Sequence, residues 1–203
     1  MGSERSIGPL VGLLLVAGCA GEENDVVLPA APGIAVTASV DPGLVSDCGD
    51  AEYPVSRLRG IVYTIPVETR VLPDYRVLPP QGTICLDRLA VTERRGYPGF
   101  PGVRNRYEWF GVVLEGSFEV AEEGAFQFRL VSDDGAQLFI DDALVIDVDG
   151  YHASRGAEGT ARLEVGRHRI AVPYWQGPGP MELVLEVARP GDRYHVFRLD
   201  HSL

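Results

Sequence analysis

The sequence predicts an all-β domain built as an antiparallel sandwich or barrel. Short apolar runs recur along the chain with turn residues between them, and no segment keeps a helical period for three turns. The clearest example is the stretch 126–152, which reads FQFRLVSDDGAQLFIDDALVIDVDGYH. Many short strands at close spacing are typical of sandwiches and barrels, so one of these two architectures is expected.

The expected strands are recognised by the alternation of apolar and other residues. The apolar residues at 126, 128 and 130 show the period of a strand with one buried face. The segments 132–135 and 147–150 are expected turns, because Asp and Gly tolerate the backbone angles of chain reversals. Taken alone, Asp133-Asp134-Gly135 is the turn of an ordinary hairpin. The predicted strands are 58–65, 83–91, 107–114, 118–120, 125–131, 137–140, 144–147, 160–165, 168–175, 182–188 and 194–199.

The composition bounds the size and the partners of the domain. With 203 residues and 45% hydrophobic content, the chain can bury one core of ordinary size, and we expect a single folded domain over residues 55–203. The formal net charge of -11 argues against a nucleic-acid partner, since phosphate binding needs clustered positive charge. The surplus carboxylates suit cation binding, and they also fit simple solubility.

Residues 1–18 have the features of a signal peptide, which is not part of the fold. Their apolar run has signal-peptide length and is too short to span a bilayer as a helix. Val16-Ala17-Gly18-Cys19 resembles the lipobox of bacterial lipoproteins, in which the Cys becomes the acylated first residue. The alternative is that Cys19 is an ordinary signal-peptide thiol. Ala20, in place of an Asp, favours the outer membrane, and residues 19–54 are predicted to form a flexible tether.

The remaining cysteines predict a disulfide bond. With Cys19 assigned to the lipid, Cys48 and Cys85 form an even remainder, and thiols of the oxidising envelope usually pair. A bridge between them would close a loop and stabilise the domain by roughly 4 kcal/mol in the chain-entropy view. We therefore expect Cys48 and Cys85 to be bonded and to pin the N-terminal arm to the sheet.

The motifs of several enzyme and metal-binding classes are missing from the sequence. No GxSxG surrounds a serine, no phosphate-binding P-loop is possible without lysine, and the four histidines lack zinc-site spacing. An EF-hand reading of 147–150 would place Val145 at the first ligand position, so it fails. Asp141-Asp142 could suggest glycoside hydrolysis, but nothing marks either residue as the acid. We therefore expect a domain without enzymatic activity.

Several short motifs between residues 106 and 187 carry a family resemblance when they are taken together. They are YEWF at 107–110, Gly124, SDDG at 132–135, ID at 140–141, GYH at 150–152, GRH at 166–168 and VPY at 172–174. The set resembles the protective-antigen fourteen-kilodalton domain family, a module of bacterial toxins, glycosidases and yeast flocculin-type adhesins. The resemblance covers nearly all of 57–199 and implies an antiparallel β-sandwich of jelly-roll type.

The resemblance also implies a ligand site at the Asp133-Asp134 pair. In lectin members of that family, the pair is joined by a cis peptide and holds a calcium ion that also takes sugar hydroxyls. A trans extended pair would point its carboxylates to opposite faces, so a shared ion needs the cis link. Lectin members place an Asn after the Tyr174 strand, where this chain has Gln176, the expected third ligand. Trp175 lies on the opposite strand face from Tyr174 and is a candidate platform for a sugar ring, with edge packing as the alternative.

These expectations combine into one functional hypothesis and one alternative. The hypothesis is a lipid-anchored recognition module of the bacterial envelope that binds carbohydrate with calcium through Asp133, Asp134 and Gln176, with Trp175 as an additional sugar contact. The alternative is a structural or protein-binding sandwich that keeps the acidic corner without binding sugar. The expected partners are a glycan or an envelope protein, together with the membrane that holds the lipid anchor.

Overall fold

Two antiparallel sheets pack face to face in the computed structural model, which describes residues 57–203. This arrangement confirms the antiparallel sandwich. The only helical element within these residues is a single 3₁₀ turn at Tyr75–Val77. The strands of this part of the chain are β1 Leu58–Thr64, β2 Pro80–Leu86, β3 Ala90–Arg95, β4 Phe110–Val120, β5 Gly124–Asp133, β6 Ala136–Ile140, β7 Ala143–Val148, β8 Arg155–Leu163, β9 Gly166–Gln176, β10 Pro180–Ala188 and β11 His195–Val196.

The strand order places β4 and β9 at the centre of one sheet. The six-stranded sheet runs β2-β1-β4-β9-β6-β7. In the five-stranded sheet the order is β11-β10-β5-β8, and β3 pairs with β10 beside β11. The longest register joins β4 to β9, from Phe110 opposite Gln176 to Val120 opposite Gly166.

The core lies between the sheets and is built from the alternate residues of each strand. Phe126, Phe128 and Leu130 of β5 are buried, as their alternation predicts. Phe197 joins the two layers, with ring centroids 5.2 Å from Phe118 of β4 and 6.2 Å from Phe128. Burying such a side chain contributes about 1.5–3 kcal/mol, so the aromatic contacts are a large part of what holds the sheets together.

The chain crosses from one sheet to the other at residues 132–135, and this corrects the expected hairpin. β5 pairs with β8 and β10, whereas β6 pairs with β7 and β9 in the other sheet. Alternation shows which face of a strand is buried, but it does not show which strand lies beside it. The acidic segment is therefore a corner between the sheets, and both sheets position the residues around it.

Two of the predicted strand boundaries are also corrected. The predicted strand 83–91 is divided into β2 and β3. The predicted strands 107–114 and 118–120 form one strand, β4, because Gly116 occupies a buried position and the alternation continues through it. A side chain at Gly116 would press on the Leu199 side chain, with Cβ only 2.8 Å from Leu199 Cδ1, which accounts for glycine at this point.

The predictions for the N-terminal part of the chain lie outside the described residues. These are the signal peptide 1–18, the tether 19–54, the lipidated Cys19 and the disulfide partner Cys48. Cys85 lies on β2 with 1% of its surface exposed, and its pairing with Cys48 stays a prediction. Within residues 57–203, no helix has the length and apolar character needed to cross a membrane.

A histidine–aspartate pair anchors the turn between β6 and β7 to β9. Asp141 and Asp142 both have positive φ, 48° and 66°, as two-residue hairpin turns require. His168 Nδ1 lies 2.6 Å from Asp141 Oδ2, and Nε2 lies 2.9 Å from the Glu164 carbonyl oxygen. Burial lowers the pKa of His168, but the hydrogen bonds to Asp141 and Glu164 outweigh it and raise the pKa above the ordinary histidine value. Both ring nitrogens face acceptors, so both bonds form together only in the imidazolium.

We predict that His168→Gln lowers the melting temperature more at pH 5.5 than at pH 9. The folded-state pKa of His168 is raised above the unfolded-state pKa of about 6.5. The stability that His168 contributes is therefore fully present below that pH and is lost as the pH rises through the folded-state pKa. Thermal unfolding at the two pH values measures the difference. His195→Gln, at an exposed position of β11, is the control and should show no such trend. An equal loss for His168→Gln at both pH values would contradict the prediction.

Candidate functional site

The acidic corner consists of Asp133, the last residue of β5, and Asp134, which precedes Gly135. The peptide bond between the two aspartates is cis, as the family resemblance implies. Both residues are buried, with 5% and 2% of their surfaces exposed. Buried carboxylates are uncommon in proteins unless they are paired or bound to a metal. The negative charge of the corner must therefore be balanced by hydrogen-bond donors or by a bound ion.

The Asp134 carboxylate joins two loops that come from different sheet connections. The backbone N–H of His152 donates to Oδ1 at 3.2 Å, and that of Gly177 donates to Oδ2 at 2.7 Å. His152 belongs to the β7–β8 loop, residues 149–154, and Gly177 to the β9–β10 loop, residues 177–179. Hydrogen bonds to a charged acceptor are shorter and stronger than neutral ones. Asp134 thus fixes both loops relative to the corner.

Asp133 carries the charge that the protein compensates least. Burial raises its pKa, and the neighbouring Asp134 carboxylate raises it further, to about 6, although His152 and the Ser154 N–H act in the opposite direction. Burial also raises the pKa of Asp134, against the lowering effect of the Gly177 and His152 hydrogen bonds. Among residues 57–203, no ion pair joins either carboxylate to a basic side chain. Two buried carboxylates without a basic ion-pair partner favour the binding of a cation between or beside them.

The donor set of the corner fits a hard cation that is only partly enclosed by protein. Within the described part of the chain, no three His, Cys, Asp or Glu side chains come together as a metal cluster. Asp133 and Asp134 supply carboxylate oxygens, the donors that calcium prefers, and calcium takes six to eight oxygen ligands. The remaining ligands would have to come from backbone carbonyls, water or hydroxyl groups of a bound molecule.

Gln176 is placed beside the corner, but its amide is already used within the protein. The side chain is buried, and its Nε2 donates to the carbonyl oxygens of Gly177 and Pro180, both at 2.8 Å. Its Oε1 contacts the Tyr174 hydroxyl, which also lies 2.7 Å from the Asp133 carbonyl oxygen. Gln176 therefore holds the β9–β10 loop against the corner. Its role as a calcium ligand stays a prediction.

The predicted exposed platform at Trp175 is wrong. Trp175 does lie on the opposite face of β9 from Tyr174, but it is 0% exposed and cannot stack on a sugar ring. Its indole Nε1 donates to Asp149 Oδ1 at 3.0 Å, and its ring stacks near Tyr151 with centroids 6.3 Å apart. The β7–β8 loop covers the face that strand alternation alone assigns to solvent, so Trp175 packs beneath that loop.

The exposed aromatic ring at the site belongs to Tyr151, which the sequence reasoning missed as a site residue. Tyr151 is 47% exposed and follows Gly150 in the β7–β8 loop. A Cβ added to Gly177 would lie 3.1 Å from Tyr151 Cε2 and 3.2 Å from Asp134 Oδ2, so the ring edge lies close to the corner. The sequence signal was the GYH motif at 150–152, which indicated the family but not an exposed ring beside the carboxylates.

The connection between β1 and β2, residues 65–79, forms a wall of the site. The backbone N–H of Leu72 donates to both carboxylate oxygens of Asp149 at 2.9 Å, and the Tyr75 hydroxyl donates to the Tyr174 carbonyl oxygen at 2.6 Å. The Arg70 guanidinium lies over the Tyr151 ring, 4.6 Å from its centroid. This cation–π contact places an exposed basic side chain at the rim of the site.

Close packing at Gly135 keeps these layers together. A Cβ at this position would lie 2.5 Å from Asp149 Oδ1 and 2.8 Å from the Gly150 nitrogen, and it would also collide with Trp175 Nε1. The Gly135 carbonyl oxygen accepts the backbone N–H of Trp175 at 3.0 Å. Glycine is therefore required by close approach, because any side chain would push the β7–β8 loop away from the corner.

The fold and the site together define a β-sandwich domain with an acidic corner at the crossing between its sheets. Residues 100–198 match the model of the PA14 domain family. The match confirms the resemblance to the protective-antigen fourteen-kilodalton domain. No curated protein shows significant sequence similarity to the chain.

Solved structures with the same fold include domains of adhesins. The PA14 sugar-binding domain from an RTX adhesin superposes with a TM-score of 0.58 at 16% identity, over 73% of this chain and 98% of that one. The PA14 domain of the MpAFP antifreeze protein gives 0.56 at 21% identity, over 74% and 92%. The epithelial adhesin 9 A domain from Candida glabrata, in complex with Galb1-3GlcNAc, gives 0.50 at 14% identity, over 82% and 92%. At these identities, the likeness shows the fold alone.

Proposed function

We propose that the chain is a non-enzymatic carbohydrate-binding module whose ligand binds at the acidic corner. The observation that carries the proposal is the pair of buried carboxylates at Asp133 and Asp134, which has no basic ion-pair partner within residues 57–203 and lies beside the exposed ring of Tyr151. The sugar-binding RTX adhesin domain and the disaccharide complex of the Candida glabrata adhesin domain share this fold and support the proposal.

Calcium dependence is a finer part of the proposal. Asp133 and Asp134 would hold the ion, with Gln176, at the end of β9, as the third ligand. A bound calcium ion would supply the positive charge that the two buried carboxylates lack and would leave coordination positions for sugar hydroxyls. The protein's own part is to keep the Asp134 carboxylate in place, through the backbone N–H groups of His152 and Gly177.

Tyr151 takes the role that the sequence assigned to Trp175. Its ring is exposed next to the corner and rests on Trp175, which keeps it from turning inward. Aromatic rings bind the apolar faces of sugars, and a ring with a hydroxyl group also offers a hydrogen bond. Arg70 lies over the same ring at an exposed position, so a ligand would compete with Arg70 for the Tyr151 surface.

The alternative function is a structural or protein-binding domain without sugar binding. The closed hydrogen bonding of the Gln176 amide is the observation that favours it, because a ligand-binding amide usually keeps a free acceptor. Exposed apolar residues at Val67, Val71 and Val77 lie in the same wall segment and would suit a protein partner. The calcium and glycan experiments below distinguish the two functions.

We further propose that the chain is an envelope lipoprotein anchored through Cys19, with a disulfide between Cys48 and Cys85. The lipobox resemblance at 16–19 supports the anchor, and the even number of remaining cysteines supports the disulfide. The outer membrane is the proposed location. Anchoring at Cys19 would place the sandwich at the end of the tether 19–54, where its corner can meet a ligand outside the lipid layer.

Calcium is expected to raise the melting temperature of the protein, and Asp133→Asn is expected to remove this response. An ion that binds only the folded state, at a free concentration 100 times its dissociation constant, stabilises the fold by about 2.7 kcal/mol. In chelator at pH 7.5, Asp133→Asn should melt above the wild type, because it removes a buried charge that the folded state disfavours. Asp192→Asn, at an exposed position, is the control.

A glycan array with calcium and with chelator completes the test, and no binding in either condition would refute the sugar-binding function.

Replacing Tyr151 by alanine is expected to weaken glycan binding about two- to twelvefold without changing the calcium response. Loss of an aromatic contact of about 0.5–1.5 kcal/mol corresponds to this range. Titration of an array-positive glycan by calorimetry measures the affinity. Tyr194→Ala is the matched control, since Tyr194 also lies under an arginine, with Arg129 Cζ 4.6 Å from its ring centroid. Equal affinities for Tyr151→Ala and the wild type would exclude Tyr151 as a ligand contact.

Cys19→Ser is expected to move the full chain from the membrane fraction to the soluble fraction of a bacterial host and to abolish labelling with a palmitate analogue. The acyl chains attach at this cysteine, and each buried methylene contributes about 0.8 kcal/mol to membrane binding. Ser39→Ala, in the same predicted tether, is the control. Labelling that persists in Cys19→Ser would show that Cys19 is not the lipidated residue.

A further inference from the structure

A groove on the outer face of the six-stranded sheet lies away from the acidic corner. It has a volume of about 660 Å³, and the residues that matter for its chemistry are Glu115, Ser117, Phe139, Arg167, Arg169 and Ala171. Along β9, Gln176 at the corner follows Ala171 by a stretch of strand of roughly 17 Å, at about 3.4 Å per residue. A volume of this size is typical of small-molecule sites, so the groove is large enough to hold a small ligand.

The floor of the groove is apolar and is built by strand register. Ala171 of β9 lies opposite Glu115 on β4 and opposite Phe139 on β6, so these three residues share one face of the sheet. Phe139 and Ala171 are partly exposed, which leaves apolar surface accessible on the outer face. A partly exposed aromatic ring beside a small residue offers a flat surface for the apolar face of a ring-shaped ligand.

Most of the charges around the groove are compensated within the protein. Asp141 is bound by His168, with 2.6 Å between Oδ2 and Nδ1, and by the backbone N–H of Arg169 at 2.8 Å. Asp142 forms an ion pair with the Arg169 guanidinium. These contacts occupy both carboxylates of the β6–β7 turn and the charge of Arg169.

Arg167 differs, because the acceptor that its guanidinium hydrogen-bonds is neutral. Its Nε and Nη2 donate to the Ser117 hydroxyl oxygen at 2.9 and 2.7 Å. In the described part of the chain, neither Arg167 nor Glu115 takes part in an ion pair. Ser117 fixes the guanidinium in position while leaving other N–H groups free, and arginine binds carboxylates through such a fork.

We propose that this groove is a second binding site, for an acidic sugar residue such as a hexuronate. The sugar carboxylate binds Arg167, its hydroxyl groups donate to the Glu115 carboxylate, and its ring packs over Phe139 and Ala171. A neutral sugar would offer Arg167 no negatively charged partner. A simple anion would make no apolar contact with the floor of the groove and would be repelled by Glu115. A ring that carries both one carboxylate and several hydroxyls matches all of these groups. The site is independent of calcium and of the acidic corner.

The test compares digalacturonate with its methyl ester by calorimetry on the full chain, in low salt and with a chelator of divalent cations. The chelator silences a calcium-dependent corner site, so failure here is separate from failure of the proposed function. We expect the acid to bind at least tenfold more tightly than the ester, because a charge-assisted pair with Arg167 is lost on esterification. No heat of binding with the acid, or equal affinities for acid and ester, would overturn the proposal.

Variants assign the binding to the groove. Arg167→Gln should abolish the preference for the acid over the ester, and Phe139→Ala should weaken both ligands by a similar factor. Arg162→Gln, an exposed arginine on β8 of the other sheet, is the matched control and should leave both affinities unchanged. A preference for the acid that survives in Arg167→Gln, or a loss of that preference in Arg162→Gln, would overturn the assignment. Circular dichroism confirms that each variant is folded before its titration is interpreted.

Discussion

The hydrogen bonds to Asp134 are the contacts on which the candidate site depends. One carboxylate group receives a backbone N–H from His152 and another from Gly177, and these residues lie in separate loops. Because Asp134 is almost completely buried, neither bond competes with water, and the low local dielectric strengthens both. The β7–β8 and β9–β10 loops therefore have a common reference point, and their shape around the corner follows from it.

Around this contact, polar groups with protein partners stabilise the corner, whereas burial disfavours the charge of Asp133. The Tyr174 hydroxyl, the Gln176 amide and the Asp149 carboxylate are each satisfied by protein partners. Burial and the adjacent Asp134 instead raise the pKa of Asp133 to about 6. Groups whose pKa is shifted by burial and by a nearby like charge cluster at functional sites, so the raised pKa of Asp133 supports the corner as a functional site.

The sequence was sufficient for the parts of the structure that depend on neighbouring residues. Alternation at 126–130 predicted a strand with one buried face, and the SDDG motif with its family context predicted the cis pair. It was not sufficient for features that depend on remote contacts. The burial of Trp175 results from its contacts with Asp149 and Tyr151, which lie in a loop about 25 residues earlier in the chain. The crossing at 132–135 and the sheet groove likewise depend on which strands pair, and single-strand periodicity holds no information about pairing.

The crossing at residues 132–135 has a mechanical consequence. β5 leaves the corner in one sheet and β6 leaves it in the other, each held by antiparallel neighbours on both sides. A pull exerted on the corner is therefore divided between the two layers and transmitted along strands whose backbone bonds must shear together. A load applied to a ligand bound at the corner, as proposed, would therefore not fall on a single peripheral hairpin.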